Sequence, residues 1–140
     1  MANLRLRNPR TGADDGMLAM TSDRELAALA GRLRSAQQGW TDTPIERRCA
    51  ALLHFADALQ AERALMIDAL LRDTGRWHES MMEVDAVIAT LRRWAAEAAA
   101  CLGEPTDEPS NVGFVEIRQR FVPYALVGVI SPWNFPLLLS

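Results

Sequence analysis

An α/β fold is predicted by the order in which patterns follow one another along the chain. Roughly the first two-thirds carries apolar residues at helical spacing, in runs with recognisable starts or stops. A loop rich in proline and acidic residues, Glu104 to Asn111, then interrupts that pattern. Beyond it the apolar period changes from about 3.6 to about two, and finally to a short continuous apolar run. Helices that feed a buried strand imply a layered α/β architecture rather than a helical bundle.

Taken in order, Asn8-Pro9-Arg10-Thr11-Gly12 is a turn, because proline fixes one backbone angle and glycine permits a positive one. An extended arm or short strand accompanies it. Ser22-Asp23-Arg24-Glu25 is a capping box, and Leu26, Leu29, Ala30 and Leu33 continue it as an amphipathic helix to Gly39. Thr43-Pro44-Ile45-Glu46 starts a second helix, with Thr43 as the cap, and Cys49, Leu52, Leu53, Ala56 and Leu59 along one side. A third helix through Leu65, Ile67, Leu70 and Leu71 stops at Asp73-Thr74-Gly75, where glycine suits the left-handed stop. The longest helix is expected from about His78 to Leu102, with Met81, Val84, Val87, Ile88, Leu91, Trp94 and Ala98 on its apolar stripe. Glu79, Glu83 and Asp85 read as its solvated acidic face.

After the loop, Val115, Ile117 and Phe121 alternate with Glu116, Arg118 and Arg120, the signature of a strand with one wet face, although Gln119 interrupts the apolar set. The run Ala125-Leu126-Val127-Gly128-Val129-Ile130 is too short for a typical helix and rich in β-branched residues, so it reads as a fully buried strand.

Composition narrows the function. Hydrophobic residues make up 49% of the 140 and charged residues 24%, and no apolar run approaches the length of a membrane span. A net charge of -3 disfavours a polyanion-binding surface, so nucleic acid is not an expected partner, and without an apolar run of spanning length neither is a membrane. The N-terminus lacks a long apolar region with a small-residue cleavage site, which makes the cytoplasm the expected location. Cys49 and Cys101 have no metal-ligand spacing and read as buried, reduced structural residues. His54 reads as a partly exposed helix histidine. His78, Glu79 and Glu83 do not have the spacing of a metal set, and no metal is expected.

The chemistry lies at the C-terminal end. The apolar run leads into Ser131-Pro132-Trp133-Asn134-Phe135-Pro136 and then Leu137-Leu138-Leu139-Ser140, a strand, a proline-bracketed turn and the start of a helix. Ligands of open α/β sheets bind beyond the carboxyl ends of strands, where an asparagine in a stiff turn is an oriented amide donor. Equally, such an asparagine could merely bond its own backbone. The residues alone leave both readings open.

The stretch Pro123 to Pro136 resembles the aldehyde dehydrogenase superfamily, in which a P-x-G-V strand leads into PWNFP. Asn8-Pro9-x-Thr11-Gly12 is similar to that family's NPxTG, Trp40 and the helix with Arg47 and Arg48 to its W-to-R region, and Asp73-Thr74-Gly75 to its ETGK turn. Ala125 stands where glycine is usual, Asp73 where glutamate is, and Arg76-Trp77 where Lys-Pro is.

The resemblance implies the N-terminal part of an aldehyde dehydrogenase fold. Residues 1–110 would be the mainly helical part of a Rossmann-like cofactor domain, 111–123 an oligomerisation-arm strand, and 124–140 the first buried strand with the PWNFP turn, incomplete. It implies an oxidoreductase that converts an aldehyde to a carboxylic acid with NAD or NADP through a thiohemiacetal on a cysteine. Asn134 would donate its amide to the oxyanion, while Ile130, Ser131, Pro132 and Trp133 would line the cofactor pocket. A small-molecule aldehyde is the implied substrate, and the complete protein a homo-oligomer. The pyrophosphate loop, the glutamate base and the catalytic cysteine would lie beyond Ser140, so these residues alone are expected to be inactive. The alternatives are a non-catalytic relative that associates with complete subunits through residues 113–123, and a helical adaptor in which PWNFP is coincidental.

Overall fold

The computed structural model describes residues 3–102, 110–117 and 122–140. It begins with an antiparallel hairpin of β1 (Asn3–Arg7) and β2 (Asp14–Ala19), with Leu4 opposite Leu18 and a register shift between Leu6 and Arg7. The Asn8 side chain builds the turn, its Oδ1 accepting the N–H of Arg10 at 3.0 Å and of Thr11 at 3.1 Å. Sequence predicts the arm and the turn. The second strand was not anticipated, because Asp14-Asp15-Gly16 is poor in strand-forming types and its pairing is imposed by the turn.

Four helices follow: α1 (Asp23–Thr41), α2 (Ile45–Ala61), α3 (Arg63–Thr74) and α4 (Trp77–Cys101). Ser22 and Glu25 complete the expected capping box of α1, and the hydrogen bonds from Ser22 hold the Glu25 carboxyl below its ordinary range. The start of α2 differs from expectation. The Thr43 hydroxyl donates backward to the Gly39 carbonyl at 2.8 Å instead of capping, and the Pro44 carbonyl accepts the N–H groups of Arg47 and Arg48. Gly75 ends α3 at φ 72°, the left-handed stop expected there. A side chain at Gly75 would also meet Arg10 Cγ at 2.9 Å, so the hairpin turn lies against the end of α3.

The core forms where α2 and α3 pack on α4. Ala56 and Leu59, Leu70, and Val84, Val87 and Ile88 are its buried members. Arg63 of α3 forks onto Asp85 of α4 through two bonds of 2.7 and 2.8 Å, and Arg92 of α4 reaches Asp57 of α2 at 3.0 Å. By contrast, no residue of α1 is buried. Two apolar expectations need correcting. Trp94 is half exposed at the rim, with Arg93 against its ring, because the buried arc of α4 passes through Val84, Val87, Ile88 and Ala95 instead. Cys101 is exposed at the helix end, beyond the reach of α2 and α3, and Cys49 is only half-buried.

A second hairpin, β3 (Ser110–Val112) and β4 (Val115–Ile117), turns at Gly113 and Phe114. The expected loop therefore ends earlier than Asn111, and the expected arm strand over residues 113–123 starts as one half of a hairpin; its stretch 118–121 lies outside the described residues. The expected buried strand over 125–130 is corrected more fully. These residues form no ladder and are exposed, because among the described residues no strand runs beside them to accept their backbone hydrogen bonds. No helix described is long and apolar enough to cross a membrane.

Candidate functional site

The end of the chain is seated against α4 and its start. The left-handed stop at Gly75 delivers Arg76 to the N-cap of α4, in extended conformation, with its N–H on the Thr74 hydroxyl at 3.3 Å. From there the Arg76 guanidinium donates through Nη1 to the backbone carbonyl of Asn134. It lies 5.8 Å from the ring centroid of Trp133 and 5.1 Å from that of Phe135, a distance at which a cation is attracted to the ring faces. Its other nitrogen reaches Glu79 at 3.3 Å. The Glu79 carboxyl sits below its ordinary range, first through its own backbone N–H and then through Arg76 and His78.

Seven residues further along the same helix, Glu83 holds the other end of the turn. Its Oε1 accepts the N–H of Leu137 at 2.6 Å and of Leu138 at 2.9 Å. These are charge-assisted bonds to backbone groups that open a helical turn, which continues with Leu139 N–H on the Phe135 carbonyl at 3.2 Å. The side chains of Leu137 and Leu138 pack on the buried cluster of α2, α3 and α4. Sequence reasoning placed Glu83 on a solvated face, yet it is 2% exposed beside the equally buried Ser80. The missed signal was its position. Glu83 stands four and eight residues before Val87 and Leu91, inside the apolar stripe, where a charge needs a specific partner.

The expected site residues fall into two environments. Asn134 is half-buried, and among the described residues its hydrogen bond runs through the backbone carbonyl, with no bond from its side-chain amide to its own backbone. Ser131 and Pro132 are half-buried, whereas Ile130 and Trp133 expose 98% and 76% of their surface. The structure thus brings Trp133, Asn134 and Phe135 together with Arg76 and Glu83, and leaves Ile130 in the exposed segment that precedes them.

A model of the aldehyde dehydrogenase family matches residues 2–140. The chain belongs to that family. Among curated proteins it is similar to vanillin dehydrogenase of an Amycolatopsis species, 34% identical over 94% of this chain and 27% of the relative. It is also similar to N-succinylglutamate 5-semialdehyde dehydrogenase 1 of Caulobacter vibrioides, 30% identical over 96% of this chain and 28% of the relative. Among solved structures it matches PutA of Anabaena variabilis at TM-score 0.88 and 37% identity, covering 99% of this chain and 30% of that one. The NAD-dependent benzaldehyde dehydrogenase of Corynebacterium glutamicum matches at TM-score 0.85 and 27% identity, with the same coverage. The chain therefore spans about a quarter of the length of the curated relatives it matches. The mixed helix-and-strand architecture corresponds to the N-terminal part of the aldehyde dehydrogenase fold.

Proposed function

We propose that this chain supplies the oxyanion donor and part of the cofactor wall of an aldehyde dehydrogenase, in a polypeptide of full family length. The observation that carries the reading is the seating of the Pro132 to Pro136 turn. Its backbone is held on α4 through the Asn134 carbonyl and the Leu137 and Leu138 N–H groups, and among the described residues no hydrogen bond ties the Asn134 side-chain amide to its own backbone. In this reading a cysteine outside these residues attacks the aldehyde carbon. The carbonyl oxygen becomes an oxyanion, and Asn134 donates an N–H to it. A donor held in place before charge develops needs no reorganisation during the reaction, and its loss typically costs about 100- to 1,000-fold in turnover.

Ile130, Ser131, Pro132 and Trp133 fit a nicotinamide dinucleotide. Ile130 and Trp133 present exposed apolar faces to a flat ring system, and Ser131 adds a hydroxyl. A nicotinamide dinucleotide held there would supply the hydride acceptor for the oxidation, and hydrolysis would then release the carboxylic acid and free the cysteine. Partners in this reading are a small-molecule aldehyde and further copies of the same protein.

The test is aldehyde-dependent reduction of NAD and of NADP by the family-length polypeptide, with and without Asn134→Ala. The expected result is a kcat lowered by about 100-fold or more with cofactor affinity nearly unchanged. Equal losses in both would remove Asn134 from the oxyanion role.

A further inference from the structure

We propose that Arg76 and Glu83 are a matched pair of positioning residues that fix the angle at which Asn134 presents its amide. The inference rests on the oxyanion reading of Asn134 for its catalytic consequence, and on geometry alone for its mechanical part. Seven residues is almost two helical turns, so the two side chains leave one face of α4 about 10 Å apart along its axis. The cation takes the carbonyl of Asn134 and the anion takes the N–H groups of Leu137 and Leu138. Each charge thus meets the backbone group of opposite polarity, and the segment between them is fixed at both ends and in one chain direction.

Burial makes the pairing informative. A carboxylate as enclosed as Glu83 loses its hydration and persists only where hydrogen bonds replace it. An apolar residue at that position would serve the surrounding core of Val84 and Val87 at least as well. The bonds shown for Glu83 go to the turn, so the turn is what its charge serves. At the other end, Arg76 engages the rings on both sides of Asn134 as well as its carbonyl, which restricts the peptide planes that flank the amide-bearing residue.

The mechanical part is tested by amide hydrogen exchange on this chain, with Glu83→Ala and the isosteric Glu83→Gln. Glutamine retains an acceptor oxygen but loses the charge. The expected result for Glu83→Gln is exchange about tenfold faster at Leu137 and Leu138, with the amides of Val84 and Ile88 unchanged. Glu83→Ala should free those two amides further. Unchanged protection at Leu137 and Leu138, or loss of protection throughout α4 in the glutamine variant, overturns the proposal. The catalytic part is tested in the family-length enzyme by a double-mutant cycle. Glu83→Gln should lower kcat about tenfold while leaving the cofactor KM within about twofold, and should cost nothing further once Asn134 is alanine. Additive losses overturn action through Asn134. If Asn134→Ala alone leaves kcat unchanged while the exchange result holds, the oxyanion reading has failed and the clamp has not.

Discussion

Residues 122–130 and 131–140 are consecutive and both apolar, yet they meet opposite surroundings. In the first, Val127 and Val129 expose 65% and 58% of their surface and no backbone ladder forms. In the second, Leu137 and Leu138 pack on the helical core and three backbone groups are held by Arg76 and Glu83. The difference lies in what each segment needs. A buried strand requires neighbours to accept its N–H and C=O groups. A turn requires a few well-placed partners, and α4 supplies them.

Three changes sharpen the contrast, beginning with the largest. Leu59→Ala empties a position in the packed cluster and should destabilise the chain by about 2–5 kcal/mol in urea unfolding, loosening the 131–140 segment along with the helices. A loss below about 1 kcal/mol would mean that α2 and α4 are not the platform on which the turn sits.

A smaller effect is expected at the brace between α3 and α4. The hydrogen bonds from Arg63 hold the Asp85 carboxyl below its ordinary range, so the folded state binds this proton more weakly than the unfolded chain does. Its contribution is therefore fully present above the ordinary carboxylate value near 3.9 and is lost as pH falls through the lowered folded value. Both side chains are substantially exposed, so solvent screens the pair. Arg63→Ala should lower Tm by about 1–3 °C at neutral pH, and that deficit should shrink as pH falls through the lowered folded value of Asp85. A deficit that persists in acid would assign the loss to packing of the arginine stem.

The smallest effect is expected in the exposed segment. Val129→Ala should change stability by less than about 0.5 kcal/mol in this chain, since little apolar surface is withdrawn from water there. In a polypeptide that supplies neighbouring strands, the same substitution should cost about 1 kcal/mol or more. An effect of that size in the present chain would show that residues 125–130 are already packed.

Local physics made much of this molecule legible. The Ser22 and Glu25 capping box, the stop at Gly75 and the turn at Asn8 depend on residues within a few positions of each other, and each stands where its pattern predicts. The PWNFP segment was likewise readable as a stiff turn bearing Asn134. Other readings failed for want of long-range information. Glu83 looked like a surface acid because its partners are 54 and 55 residues away in sequence. Trp94 looked like core because helical period gives a face but not where that face ends.

Sequence by itself thus determined four helices, their punctuation and one amide-bearing turn near the end of the chain. Tertiary structure alone decided which charges of α4 would be buried and how that turn would be held. The reason is that helix and turn signals are written in neighbouring residues, whereas a buried carboxylate is stable only through groups that folding brings to it.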